Sequence, residues 1–391
     1  MSLFIKNVNW SLCFALNILK FAGFLVPEKV NGFRRIVALA YWFFWFMFVV
    51  GIMTIAQFGD LVQVWGNVTL MSETLYLLFT YFVYIIKIII LFMKRKEIFD
   101  IVREGDEELN TEEREEGKAI IERPVVPEIS AFKQINSSAL YISIRFKLFE
   151  YPMDVTKSPA FEIAYVHQNL SVMLVAVTNC SLDIMVISLI AVCRCRIKLL
   201  QLTLGNLFQD IDVDGMRLLS DDDNRKVAER LRACIIKHQA ILESGFQIRT
   251  CFSYSILAQF TVSIVILCVS AYQVGEVELD NKLRLVFMIA YLLSMAVQVF
   301  VYCYQGNCIS EESVEIADTL YEMPWYVCSL SIRKTLLVMM VRSRRPIELT
   351  AGGFATLSLE CFIQDYVEDQ PLLLTECDTL FISAKFPQNT S

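Results

Sequence analysis

Tyr302-Cys303-Tyr304-Gln305-Gly306-Asn307, Tyr321-Glu322-Met323-Pro324-Trp325-Tyr326, Ile332-Arg333-Lys334, Arg344-Arg345-Pro346 and Leu349-Thr350-Ala351-Gly352-Gly353-Phe354 follow one another, ending in Leu357-Ser358-Leu359-Glu360-Cys361-Phe362. An apolar helix enters this stretch and a Gly-rich apolar segment leaves it. Between them lies a connector of bases and aromatics too polar to sit in lipid, so the stretch reads as a cytosolic link between two membrane segments.

Working outward, 55% of the residues are hydrophobic and 20% charged, mean hydropathy is +0.50, and several apolar runs reach the roughly 20 residues that span a bilayer. The chain reads as an all-α, seven-transmembrane membrane protein, a single polytopic domain over 1–391. The expected spans are 36–58, 70–93, 131–150, 164–192, 251–272, 283–304 and 347–364. The span at 131–150 is short and carries Lys133, Arg145 and Lys147. Charge requires it all the same. The links 1–35, 94–130, 194–250 and 306–346 hold 27 Lys and Arg, against 2 in the alternate links 59–69, 151–163 and 273–282. Cytosolic loops collect Lys and Arg, which puts the N-terminus inside and the C-terminus outside. A G-protein-coupled receptor has the opposite orientation.

Twelve cysteines and two histidines show no zinc spacing and no disulfide framework; Cys193 and Cys195 beside a basic run are candidates for palmitoylation. No metal, cofactor, nucleic-acid partner or catalytic constellation is expected. Residues 1–26 read as an interfacial amphipathic helix. Lys87, near the end of the second span, is read as snorkelling towards Lys94-Arg95-Lys96, and Asp183 as either a functional buried charge or a residue facing neighbouring helices. The acidic segment 104–116 reads as a solvated loop. Asp221-Asp222-Asp223 opens a soluble helix in which His238 is a packed residue. Asn67-Val68-Thr69 falls on an outer link and makes Asn67 a glycosylation acceptor.

These residues resemble the insect odorant receptor family. The likeness rests on Cys303, Gly306-Asn307, Glu312-Ser313, Tyr321, Trp325-Tyr326, Arg333-Lys334, Arg344, Pro346, Thr350-Ala351-Gly352, Leu357-Ser358-Leu359 and Phe362. Tyr151-Pro152, Asp154, Ser158-Pro159, Tyr165 and Gln168 support it. The resemblance implies a tuning subunit of a hetero-tetrameric, odorant-gated, non-selective cation channel formed with the odorant receptor coreceptor in the plasma membrane of olfactory sensory neurons. It implies a subunit anchor that would use Tyr321, Trp325, Tyr326, Arg333 and Lys334. It also implies a pore helix built from Gly352, Gly353, Leu357, Ser358 and Phe362, with the glycine pair admitting close helix contact. Small volatile ligands would bind among the outer halves of the second, third, fourth and sixth spans, where Tyr76, Phe79, Phe146, Phe149, His167, Met173, Phe287 and Tyr291 are the candidates.

The chain departs from the family in its charged third span. It departs again after Phe362, where Asp365, Glu368, Asp369 and Pro371 interrupt the last helix and Cys361 stands in place of the usual Thr. The alternatives are a non-conducting relative with an incomplete last span, or another multi-span transporter or receptor.

Overall fold

The computed structural model describes residues 10–24, 32–66, 68–122, 159–213, 217–276 and 282–363. The expected third span, Phe146, Phe149, Asn67 and everything after 363 lie outside them. The fold is a bundle of long helices. Among the described residues, four are long and apolar enough to cross a membrane: Ile36–Gln63, Thr74–Met93, Ala160–Gly205 and Asp221–Ile266.

In order, α1 is Trp10–Phe21. The first span combines α2 (Phe33–Phe46), a π-helical turn at Met47–Gly51 and α3 (Ile52–Gln63). Then come α4 (Val68–Met93), α5 (Arg95–Asn110) and α6 (Glu115–Glu122). Three very long helices follow: α7 (Ala160–Gly205), α8 (Asp221–Glu276) and α9 (Lys282–Glu322), the last containing 283–304. A 3-10 turn at Trp325–Val327 leads to α10 (Leu330–Ser343). The chain then forms the hairpin β1 (Thr350–Ala351) and β2 (Ala355–Thr356), and the short α11 (Leu359–Ile363).

At the centre stands α7, packed against α1, α4, α5, α8 and α9. Every residue from Ser181 to Cys193 on it is buried. In a bilayer, apolar burial between helices gains little over contact with lipid, so close packing and paired polar groups must hold such a helix in place. By contrast, the first span turns Phe43, Phe44, Ile52, Ile55 and Phe58 outward, as lipid contact requires.

Several local expectations change. Leu12, Ala15, Leu16 and Leu19 of α1 are buried and the helix packs on α7, so it is built into the bundle rather than laid along the membrane surface. The acidic segment is helical through Asn110 and supplies a paired side chain, Glu108, to α7. Cys193 and Cys195 are buried in the core, where packing closes them to acylation. At the start of α8, the Ser220 hydroxyl accepts the Asp223 N–H at 3.2 Å, so the helix is capped by the serine preceding the acidic triplet.

The largest change is at 347–364, which is not one helix. Thr350 pairs with Thr356 and Ala351 with Ala355, and the Phe354 N–H donates to Ala351 O at 3.1 Å. Gly352 and Gly353 between them have φ of 61° and 79°. Two successive positive φ values define a primed hairpin turn, which two glycines form without strain. The glycine pair therefore makes a turn, and helical structure resumes only at Leu359.

Candidate functional site

Of the residues expected to line an outer ligand pocket, the structure brings two together. Tyr76 is buried and Phe79 partly buried on α4, clustered with Ile266 of α8 and Met295 of α9. His167 and Met173, on α7, belong elsewhere. The His167 Nε2 lies 2.8 Å from Phe48 O in the π-helical turn, and its ring stands edge-on to Phe48 at 4.7 Å. A carbonyl only accepts, so Nε2 carries the proton. His167 thus ties α7 to the first span. Met173 is exposed and lines a cavity of about 580 Å³ between α1, the first span, α4 and α7. Phe287 and Tyr291 lie on α9.

A polar cluster that the residue pattern did not assemble sits inside the bundle. The Lys87 Nζ donates to Asp183 Oδ1 at 2.6 Å and to Asn179 Oδ1 at 3.1 Å, and the Tyr302 hydroxyl donates to the same Asp183 oxygen at 2.8 Å. Lys87 is 4% exposed and Asp183 1%, so Lys87 does not snorkel. A lysine held against an aspartate needs no route to water, because the pair removes most of the cost of burying either charge. Three helices, α4, α7 and α9, meet at this one carboxylate. Asp183 Oδ2 has no hydrogen-bond partner among the described residues.

Further along α7 a second junction forms. Arg194 grips Glu312 of α9 with two nitrogens at 2.7 and 2.9 Å and Gln305 with a third at 2.8 Å, the forked geometry that makes guanidinium–carboxylate pairs strong. Lys198 adds a contact to Glu312 at 2.9 Å. On another face, Arg196 reaches Glu108 of α5 at 2.6 Å and Ser244 of α8 at 2.7 Å. Residues quoted for the family likeness thereby acquire physical work. Ser313 Oγ accepts the Ile347 N–H at 2.9 Å. A Cβ on Gly306 would lie 2.5 Å from both Leu357 Cβ and its carbonyl oxygen, so only glycine lets α9 and the segment after the hairpin touch.

The hairpin is fastened from α8. The Ser253 hydroxyl donates to Thr350 O at 2.8 Å, the Gly352 N–H to Ser253 O at 3.0 Å, and Arg249 Nε to Thr350 Oγ1 at 3.1 Å. Leu357 is buried, Ser358 Oγ accepts the Cys361 N–H at 3.1 Å, and the Phe362 ring meets Phe300 edge-on at 5.5 Å.

In the anchor stretch Trp325 packs partly against the core, while Tyr321 and Tyr326 are exposed. Arg333 donates to Cys328 O at 2.8 Å, and Lys334 is exposed. Leu330, Leu337, Val338 and Val341 form an exposed apolar stripe along α10, a face that no described residue covers.

Bundle, hairpin and connector together define a polytopic helical membrane protein. Residues 67–364 match the family model described as 7tm Odorant receptor, and the chain belongs to that insect odorant receptor family, whose members are receptors and not enzymes. It is 29% identical over 174 residues to odorant receptor 22c of Drosophila melanogaster, covering 43% of this chain and 42% of that one. It is 30% identical over 137 residues to odorant receptor 94a of the same species, covering 35% of each. These alignments span less than half the length of the relatives they match. The olfactory receptor OR5 of Machilis hrabei, solved in complex with eugenol, superimposes with a TM-score of 0.71 at 15% identity over 95% of this chain and 97% of that one. That likeness carries the fold.

Proposed function

We propose that this chain is the ligand-tuning subunit of an odorant-gated, non-selective cation channel, assembled with coreceptor subunits in the plasma membrane of olfactory sensory neurons, N-terminus inside. The observation that carries the reading is membership of the odorant receptor family over 67–364. The exposed stripe Leu330, Leu337, Val338 and Val341 with Tyr321 and Tyr326 supports a subunit contact, because interface cores favour aromatic and apolar groups rimmed by charge such as Lys334. The odorant pocket is assigned to the outer halves of the bundle. Tyr76 and Phe79 provide its described wall, with Phe287, Tyr291, Phe146 and Phe149 as further candidates; His167 and Met173 face the first span and the separate cavity beside it instead. The hairpin and Leu357, Ser358 and Phe362 lead into the pore.

Co-expression with the coreceptor followed by current recording against a panel of volatile ligands is the test. Odorant-evoked cation current that requires both subunits is expected. Surface-expressed chain giving no current with any ligand overturns the proposal.

A further inference from the structure

We propose that the cavity between α1, the first span, α4 and α7 is a second ligand site, separate from the outer pocket, for a small lipophilic molecule carrying a hydroxyl donor such as a phenol. Its volume of about 580 Å³ lies within the range of small-molecule pockets. Phe21 of α1 and Leu170 and Met173 of α7 line it and are exposed, which gives the cavity a mouth on the outer wall of the bundle between these two helices. An apolar molecule dissolved in the membrane can reach it without crossing water.

The hydrogen bonds set the chemistry of the occupant. Thr178 has one hydroxyl proton, and its Oγ1 lies 2.7 Å from Leu174 O in its own helix, so the proton goes there. The Tyr84 hydroxyl, 2.7 Å from the same Thr178 oxygen, must then be the donor of that pair. This leaves the Tyr84 oxygen able only to accept. On the opposite wall Asn17 can do both: one amide N–H is turned to Cys13 Sγ at 3.6 Å, while a second N–H and the carbonyl oxygen remain. The Tyr84 oxygen is the discriminating group: a molecule that donates can bond to it, and its methyl ether cannot. Tyr84 precedes Lys87 on α4 and Thr178 precedes Asp183 on α7 by about one turn, so the occupant would rest beside the buried ion pair.

The inference stands apart from the channel reading, since its test reads binding alone. Full-length chain in lipid nanodiscs is photolabelled with a diazirine-bearing phenol, with para-propylphenol or its methyl ether as competitor. Labelling on peptides carrying Val49, Tyr84 or Val177 is expected, with the phenol competing roughly two- to tenfold better than the ether. Tyr84→Phe should bring the two competitors level while labelling persists, and Val177→Trp should fill the cavity and abolish labelling. Labelling confined to other helices, or equal competition in the unmodified chain, overturns the proposal. So does a phospholipid with a diazirine in its acyl chain that labels these residues and is not displaced by the phenol. Should Val177→Trp fail to fold, the Tyr84→Phe comparison decides.

Discussion

One helix contains two regimes. The N-terminal part of α7 turns Phe161, Ile163, Tyr165, Val166, Leu170 and Met173 outward, whereas from Ser181 to Ile197 no residue is exposed. In the buried part three charged residues each find partners on different helices: Asp183 on α4 and α9, Arg194 on α9, Arg196 on α5 and α8. The exposed part makes no ion pair among the described residues, and its apolar side chains suit contact with lipid. The contrast teaches that the buried end fixes the geometry of the bundle through paired charges, which the open end does without.

The sharpest way to break that contrast is at the ion pair. Asp183→Ala leaves a lysine buried without its counter-charge and should destabilise the fold by about 3–5 kcal/mol, read as loss of monodisperse protein in detergent and of surface expression. Joint replacement, Lys87→Met with Asp183→Leu, should recover most of the loss, since two apolar groups can fill the site a pair has vacated. If the double variant is as damaged as the single one, the pair is not the cause.

At the second junction, Glu312→Ala removes the partner of both Arg194 and Lys198. A loss of about 2–3 kcal/mol is expected, measured as a lower thermal midpoint. Gly306→Ala should cost about 1–3 kcal/mol by overpacking against Leu357, while the same change at Gly205, which has nothing within reach of a new Cβ, should be close to neutral.

The smallest effect is on pH. Burial, with Arg342 nearby, lowers the pKa of His238 on the polar part of α8. The unfolded chain, with an ordinary value of about 6.5, then binds the proton more readily than the folded one. Stability should therefore fall as pH drops below about 6.5 and level off once pH passes the folded value. His238→Gln should flatten that slope in a thermal-shift titration; an unchanged slope assigns it to another group.

Much of this was legible in the residues, for identifiable reasons. The block at 302–362 carried the family because its motifs are closely spaced, and the apolar runs at 36–58, 70–93, 164–192 and 251–272 are long enough to show themselves by length alone. The Lys87–Asp183 pair was not legible: its members stand 96 positions apart, and each in isolation has an ordinary reading. The hairpin did leave a signal, since Thr-Ala-Gly-Gly-Phe-Ala-Thr is a glycine pair between short matching flanks, a turn signature. It was overridden by the surrounding apolarity, which favours a membrane helix. The Glu108–Arg196 pair within the acidic segment 104–116 is not legible either, because charge density in a segment says nothing about which single carboxylate a distant arginine will claim.

The π-helical turn at Met47–Gly51 has a consequence for phase. An α-helix advances about 100° per residue, and a wider turn holds one residue more than its neighbours. The aromatic run Tyr41–Phe46 and the buried set Met53, Ala56, Gln57 and Asp60 are therefore offset by that one step. Removing a single residue from 47–51 would keep the span's length nearly unchanged, yet rotate everything after it. Phe58 and Ile55 would swing towards the bundle, and Asp60, which accepts from Thr74 at 2.6 Å, would swing towards lipid. The first span works as a two-part dial, and its setting is a matter of counting.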